Sequence, residues 1–170
     1  MNTQEPKVLF MHGLDSSRES TKFQAILSKN KYCINVDYRN LKYAAVERFY
    51  IDMIEKIKPD ILVGHSLGGY WALKMSNRFQ LPAVIANPSL MPSFDPDYPA
   101  ITIEELQSKT SSQIAYIELG DELIDMHSTS DLLEPYMYVE SIIGGRHQLE
   151  NPDRLNYLIG LVSHSNHQSH

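Results

Sequence analysis

The sequence predicts an α/β fold in which a mostly parallel sheet carries helices on both faces. Short apolar runs alternate with amphipathic segments along the chain, and this rhythm implies parallel strands joined by crossover helices. A chain of 170 residues is long enough for one domain with a substantial hydrophobic core. We predict a single domain over residues 1–163 and a polar, frayed tail over 164–170.

The predicted elements of the first half are bounded by helix caps and chain breakers. Ser16 or Ser17 is positioned to cap a helix that Asn30 closes. Apolar residues recur at helical spacing between Tyr43 and Ile57, which indicates an amphipathic helix there. The strands are short apolar runs, some of them next to proline-containing breaker pairs. The predicted order is a strand over 7–11, a helix over 22–27, a strand over 33–36, a helix over 43–57, a strand over 61–63, a helix over 70–75 and a strand over 81–86.

The second half departs from this rhythm once, in a proline-rich segment over 89–100. Its prolines alternate with aromatic residues, which favours an ordered loop over a linker between domains. Beyond this loop further strands and helices follow. The predicted order is a short helix over 101–108, a strand over 114–119, a strand over 136–143 and a helix over 152–162.

Composition and charge argue against several classes of function. The net charge of −6 is not offset by any cluster of lysine and arginine, which argues against a nucleic-acid-binding protein. No apolar stretch reaches the length of a membrane span, and no basic-then-apolar signal pattern opens the chain, so we expect a cytoplasmic protein. Cys33 is the only cysteine, which excludes a disulfide framework and a cysteine metal site. We predict no cofactor and no metal, and we make no prediction of the oligomeric state.

The motif Gly-His-Ser-Leu-Gly at residues 64–68 fits the pattern G-x-S-x-G between a buried strand and a helix. A serine at such a strained turn projects its hydroxyl above the edge of the sheet. Gly64 and Gly68 lack the Cβ atoms that would clash where strand and helix crowd together. The alternative is a glycine-rich turn that only joins the two elements. We favour Ser66 as a nucleophile.

A serine nucleophile needs a base within hydrogen-bond reach, and the base needs a carboxylate that orients it. In open parallel sheets these groups follow the carboxyl ends of strands, and on α/β-hydrolase scaffolds their chain order is Ser, then Asp or Glu, then His. With the tail histidines set aside, this order leaves His127 and His147, of which His147 directly follows a predicted strand. Asp121 also follows a predicted strand, whereas Asp125 lies one helical turn further along. We therefore predict a triad of Ser66, Asp121 and His147, with Asp125 as the alternative acid.

Two backbone amides are candidates for stabilising the oxyanion that an attacked carbonyl forms. The amide of Leu67 follows the nucleophile, and that of Leu14 lies in the loop after the first strand. His12 belongs to the same loop. It is a candidate for the substrate side of the site and, alternatively, a structural brace of the loop.

Apolar side chains in the proline-rich loop are candidates for binding substrate. Met91, Phe94 and Tyr98 lie where a solvated loop would not need them, so we expect them to roof the cleft. The alternative is that Phe94 and Tyr98 only pin the loop to the domain.

Four blocks of this sequence are distinctive when taken together: Phe10–Ser17, Gly64–Tyr70, Gly120–Asp125 and Gly144–His147. They resemble the small bacterial esterases of the YqiA-like family. The resemblance implies a compact, three-layer α/β-hydrolase fold without a large lid domain, acting on acyl esters or thioesters. It also implies that Ser66 is the nucleophile, Asp121 the acid and His147 the base.

These observations predict a serine hydrolase that cleaves carboxylic esters of small acyl groups through an acyl-enzyme intermediate. An acyl-CoA thioesterase or an acyltransferase would use the same triad, and Arg18, Lys22 or Arg146 could then help to bind an anionic head group. A non-catalytic binding protein on a hydrolase scaffold is the alternative from another class. The expected partner is a small-molecule acyl ester or thioester.

Overall fold

A computed structural model describes residues 5–168, in which six strands form one sheet. The strands, in chain order, are β1 (Val8–Met11), β2 (Lys31–Tyr32), β3 (Ile61–His65), β4 (Ala83–Ala86), β5 (Gln113–Glu118) and β6 (Tyr138–Ile142). Their order across the sheet is β2-β1-β3-β4-β5-β6, and every neighbouring pair is parallel. The carboxyl ends of all the strands therefore meet at one edge of the sheet, which is where parallel sheets carry their sites.

Helices cover both faces of this sheet and bury two separate hydrophobic cores. On one face α2, α3, α4 and α5 cover a core that includes Trp71, which is completely buried. On the other face α1 and α6 pack against residues such as Phe10 and Val63. The helices are α1 (Thr21–Ala25), α2 (Tyr43–Ile57), α3 (Leu67–Phe79), α4 (Ile103–Gln107), α5 (Met126–Leu133) and α6 (Arg154–Gln168). The three layers agree with the predicted architecture, and the described residues include no large lid domain.

The alternation of side chains along β5 shows why its inner residues, 114–117, are all apolar. Ile114 and Tyr116 face the core under α1 and α6, whereas Ala115 and Ile117 face the core under the other helices. A strand that is covered on both faces has no solvated side, so it needs no polar alternation. Each large apolar side chain buried in this way contributes roughly 1.5–3 kcal/mol to stability.

The predicted strand over 33–36 was wrong. The strand in this region is β2, which covers only Lys31 and Tyr32 beside β1. Cys33 and Val36 are buried as a strand would bury them, but the amide of Val36 donates to the ring of His12 at 2.9 Å instead of joining a ladder. A long-range partner thus ends the strand, and local pattern does not reveal that partner.

Several helix boundaries also differ from the predictions. Helix α1 is capped by Ser20, whose hydroxyl accepts from the amide of Lys22, and neither Ser16 nor Ser17 is the cap. Helix α5 was not predicted at all. Helix α6 continues to Gln168 through most of the predicted tail, whose residues 169–170 lie outside the described residues. The other predicted elements are present, with ends that shift by a few residues, and α2 has the predicted bounds.

Candidate active site

Ser66 occupies the sharp turn between β3 and α3. Its φ of 59° and ψ of −119° lie in a region that residues with a side chain rarely adopt. Holding such a conformation costs roughly 1–3 kcal/mol, and strain of this kind is concentrated at functional sites. The surrounding backbone supports the turn, since the amide of Ser66 donates to Ala86 O at 3.1 Å and Ser66 O accepts from the amide of Ser89 at 3.0 Å.

The glycines of the motif are required by close packing around this turn. A Cβ on Gly64 would overlap the carbonyl oxygen of Gly68, and a Cβ on Gly68 would overlap the carbonyl oxygen of Met11. The turn is therefore pressed against the end of β1 as well as against its own helix. Ser66 is the N-cap residue of α3, yet its side chain makes no capping hydrogen bond, and the residue is 8% exposed.

His147 and Asp121 meet at the edge of the sheet as a hydrogen-bonded pair. Nδ1 of His147 donates to Oδ2 of Asp121 at 2.6 Å, and the Asp121 side chain is completely buried. The same Oδ2 accepts from the Asn87 amide at 3.0 Å, while Oδ1 accepts from the backbone amides of Leu123 and Ile124 at 2.7 and 2.8 Å. Four hydrogen bonds thus fix the carboxylate. Because Nδ1 of His147 carries the proton that it donates to Oδ2, Nε2 is the nitrogen of the neutral ring that carries no proton.

These hydrogen bonds keep Asp121 ionised despite its burial. Burial by itself would raise the pKa of this carboxyl. The hydrogen bonds from His147, Ile124, Asn87 and Leu123 outweigh it and lower the pKa below its ordinary value. A carboxylate in this state orients an imidazole and stabilises the imidazolium that forms when Nε2 takes up a proton.

The alternative acid and base lie elsewhere. Asp125 is the N-cap of α5, where its carboxylate accepts from the amide and the hydroxyl of Ser128 at 3.2 and 2.8 Å. His127 is exposed in the first turn of that helix. The geometry therefore brings Asp121, and not Asp125, to His147.

His65 links the turn at Ser66 to the backbone of His147. Its Nε2 donates to His147 O at 2.6 Å, and the two imidazole centroids are 5.2 Å apart. Burial, with the charge of Lys22 nearby, lowers the pKa of His65 to about 3, so the ring is neutral at physiological pH. Sequence analysis missed this role, although a histidine that ends a buried strand beside the candidate nucleophile is a detectable signal.

The loop after β1, which holds the candidate oxyanion donor Leu14, lies against Ser66. A Cβ on Gly13 would lie 3.3 Å from Cβ of Ser66. In the same loop His12 is completely buried; Nδ1 donates to Gly13 O at 2.8 Å, and Nε2 accepts from the amide of Val36. Both ring nitrogens are occupied, so the contacts of His12 are those of a brace and not of a substrate ligand.

The two candidate oxyanion amides flank the turn. Leu67 is the first residue of α3, where the amide has no partner within the helix and points out of its N-terminus. Leu14 follows the braced pair His12-Gly13 and is half-buried. In the part of the chain that the structure describes, no hydrogen bond joins Ser66 Oγ to His147; such contacts often tighten only when substrate binds.

The apolar residues of the proline-rich loop have three different environments. Tyr98 is 6% exposed, and its ring lies 5.7 Å from that of Trp71, whose indole N–H donates to its hydroxyl at 3.3 Å. Phe94 is half-buried, with its ring 4.8 Å from that of Tyr98. Met91 is 75% exposed. Tyr98 therefore pins the loop to the domain, while Phe94 and Met91 are the members that solvent reaches.

Within residues 5–168 no cluster of three or more His, Cys, Asp or Glu side chains has metal-binding geometry. No helix in that range combines the length and the apolar character that crossing a bilayer requires.

Residues 7–97 match the uncharacterised protein family UPF0227. The chain belongs to this family. The match covers the loop after β1 and the turn at Ser66, and it confirms the resemblance to the YqiA-like family. Asp121 and His147 of this UPF0227 protein lie beyond the matched residues.

Solved structures of bacterial esterases have the same fold as the UPF0227 chain. Naproxen esterase (carboxylesterase NP) from Bacillus subtilis is 14% identical, with a TM-score of 0.72, over 97% of this chain and 85% of its own. Carboxylesterase CesB from Bacillus subtilis is 14% identical, with a TM-score of 0.74, over 95% of this chain and 84% of its own. Est1E from Butyrivibrio proteoclasticus with bound ferulic acid is 12% identical, with a TM-score of 0.71, over 97% of this chain and 89% of its own. The α/β-hydrolase fold class is confirmed.

Proposed function

We propose that this UPF0227 protein hydrolyses carboxylic esters of small acyl groups through an acyl-enzyme on Ser66. The observation that carries the proposal is the 2.6 Å hydrogen bond from His147 to the buried, fourfold-bonded Asp121, at the sheet edge that also carries the strained Ser66. His65 supports it by joining the nucleophile turn to the backbone of His147.

In the first half of the reaction, Nε2 of His147 takes the proton from Ser66 Oγ as that oxygen attacks the acyl carbon. The resulting imidazolium is stabilised by the ionised Asp121. The carbonyl oxygen becomes an oxyanion that the amides of Leu67 and Leu14 stabilise, and loss of one such donor costs roughly 10²–10³ in rate in a known hydrolase. The intermediate then collapses, the C–O bond to the alcohol breaks, and His147 protonates the departing alkoxide.

In the second half, water replaces the alcohol. His147 removes a proton from the water as its oxygen attacks the acyl carbon of the acyl-enzyme. A second oxyanion forms in the same position and collapses. The bond between the acyl carbon and Ser66 Oγ breaks, His147 returns its proton to Oγ, and the carboxylic acid leaves.

Charge favours a simple ester over an acyl-CoA as substrate. The chain carries a net charge of −6, which repels an anionic head group. Lys22, one of the few cations considered for such binding, is 3% exposed, and its ammonium donates to the Gln148 side chain at 2.7 Å. The names of structurally similar proteins, which are carboxylesterases, support the same reaction class.

Covalent labelling and a substrate screen test the proposal together. A fluorophosphonate probe should add once, and mass spectrometry should map the adduct to the peptide that contains Ser66. The wild type and Ser66→Ala are then assayed with esters and acyl-CoAs of graded chain length. The wild type should hydrolyse short acyl esters, and Ser66→Ala should hydrolyse none. Labelling at another serine would contradict the nucleophile assignment. Hydrolysis of acyl-CoAs in preference to esters would contradict the proposed substrate class.

A further inference from the structure

A buried carboxylate outside the proposed triad lies beneath the loop that carries His147. Glu118 is the last residue of β5, and no part of it is exposed to solvent. Ionisable side chains are almost never completely buried without strong partners, so the partners of this one indicate what it does.

Glu118 binds the His147 loop through three backbone amides. Its Oε1 accepts from the amides of Arg146 and Glu150 at 3.1 and 2.7 Å, and its Oε2 accepts from the amide of Asn151 at 2.9 Å. A fourth donor, the Tyr116 hydroxyl at 2.8 Å, comes from the strand itself. One of the three amides precedes His147 in the chain and two follow it, so the carboxylate binds the loop on both sides of His147.

Glycines let the loop pass this close to the carboxylate. Gly145 has a φ of 77°, and a Cβ there would overlap Oε1 of Glu118. A Cβ on Gly120 would likewise overlap the carbonyl oxygen of Gly145, and the Gly120 amide donates to Gly144 O at 2.7 Å. The backbone at the end of β6 is thus packed directly onto the end of β5.

The charge of Glu118 makes these hydrogen bonds to the His147 loop stronger than hydrogen bonds between neutral groups. No ion pair among the described residues includes Glu118, so hydrogen-bond donors alone stabilise its charge. Hydrogen bonds to an ionised acceptor are roughly twice as strong as neutral ones. Movement of the loop would leave a buried carboxylate with unsatisfied oxygens, which is costly.

We infer that Glu118 is the positioning residue of the general base and holds the His147 loop so that Nε2 faces Ser66. This inference rests on the proposed function. Glu118 does not touch the triad side chains; it acts through the backbone, while His65 and Glu122 bond the carbonyl and the amide of His147 at 2.6 and 2.9 Å. Those two contacts hold His147 itself, and Glu118 holds the chain on either side of it.

The test replaces Glu118 by Gln, which has the same shape but brings an NH₂ group toward backbone donors. We expect kcat for ester hydrolysis to fall on the order of 10²-fold with KM unchanged, because a small misplacement of a catalytic group has that effect. Tyr116→Phe is the matched control. It removes the one bond to Glu118 that does not come from the loop, and kcat should stay within about twofold of wild type.

A nuclear magnetic resonance readout separates this inference from the proposed function. The short Asp121–His147 bond should give a strongly downfield Nδ1 proton, which Glu118→Gln should lose together with exchange protection at Glu150 and Asn151. If no ester is hydrolysed and no probe adds, the proposed function fails, but these signals still decide the role of Glu118. An unchanged downfield proton together with unchanged protection in Glu118→Gln would overturn the inference.

A second variant covers the case in which Glu118→Gln does not fold. Glu118→Asp keeps the charge and withdraws the carboxylate by one methylene, so both effects should appear in weaker form. Wild-type kcat and wild-type protection of the loop in Glu118→Asp would equally overturn the inference.

Discussion

The neutral, buried His65 should make the stability of this protein depend on pH in a way that one substitution removes. Burial lowers its folded-state pKa to about 3, against an ordinary value of 6.5 in an unfolded chain. Between these values the unfolded state binds a proton that the folded state does not, so the free energy of unfolding falls as pH falls below 6.5. His65→Gln removes the titration and keeps an amide that can donate to His147 O.

The magnitude follows from the two pKa values of His65. At pH 5 the folded-state imidazole is already neutral, so the loss depends almost entirely on protonation of the unfolded state. One proton difference changes the free energy of unfolding by about 1.4 kcal/mol per pH unit. Lowering the pH from 7.5 to 5 should therefore reduce the free energy of unfolding of the wild type by roughly 2 kcal/mol through this one residue. Every other titrating group is common to wild type and variant and cancels when their losses are subtracted.

Urea unfolding followed by the fluorescence of Trp71 measures this difference. Trp71 is the only tryptophan and is completely buried, so its emission reports global unfolding. The wild type should lose about 2 kcal/mol more than His65→Gln between pH 7.5 and 5. Equal losses in the two proteins would show that His65 titrates normally in the folded state and would refute the argument.

Four further substitutions test the site and the turn. Asp121→Asn should reduce turnover by about 10⁴, as the equivalent change does in a serine protease, whereas Asp125→Asn should leave turnover near wild type and change only the capping of α5; the reverse ranking would identify the wrong carboxylate. Phe94→Ala should weaken hydrolysis of octanoate esters more than of acetate esters, by at most ~0.8 kcal/mol per lost CH₂ contact, and equal losses would exclude contact with the acyl chain. Gly68→Ala should destabilise the fold by at least roughly 1–3 kcal/mol in urea, because its Cβ would overlap Met11 O, and an unchanged midpoint would contradict this packing argument.

The parts of the fold that local chemistry determines could be predicted from the sequence. The amphipathic spacing of α2 gave its bounds, and the apolar runs located the strands because a strand buried on both faces must be apolar. The turn at Ser66 was predictable because Gly64 and Gly68 stand two residues either side of the serine, between an apolar run and a helical segment. That Asp121 and His147 lie close together was predictable because parallel strands bring their carboxyl ends to one edge of the sheet.

The features that were missed depend on partners far away in the sequence. Residues 33–36 have the composition of a strand, but the amide of Val36 bonds His12 instead. Glu118 was predicted only as part of the strand over 114–119, since its amide donors lie 28 to 33 residues later in the chain. The role of Asn87 was not predicted, since its side chain donates to Asp121, 34 residues further along the chain. Such pairings are set by topology, which composition and periodicity do not specify.

The position of β6 has a consequence for how the protein would lose activity. This strand lies at the edge of the sheet, pairs only with β5, and is half-exposed along its length. Edge segments with few buried contacts open at a lower free energy than the core. His147 lies in the loop that follows β6. Fraying of that one strand would therefore move His147 away from Ser66 and Asp121 while Trp71 remains packed in the core. In rising urea, labelling of Ser66 should therefore fail before tryptophan fluorescence changes, and coincident midpoints would show that β6 and the core unfold as one cooperative unit.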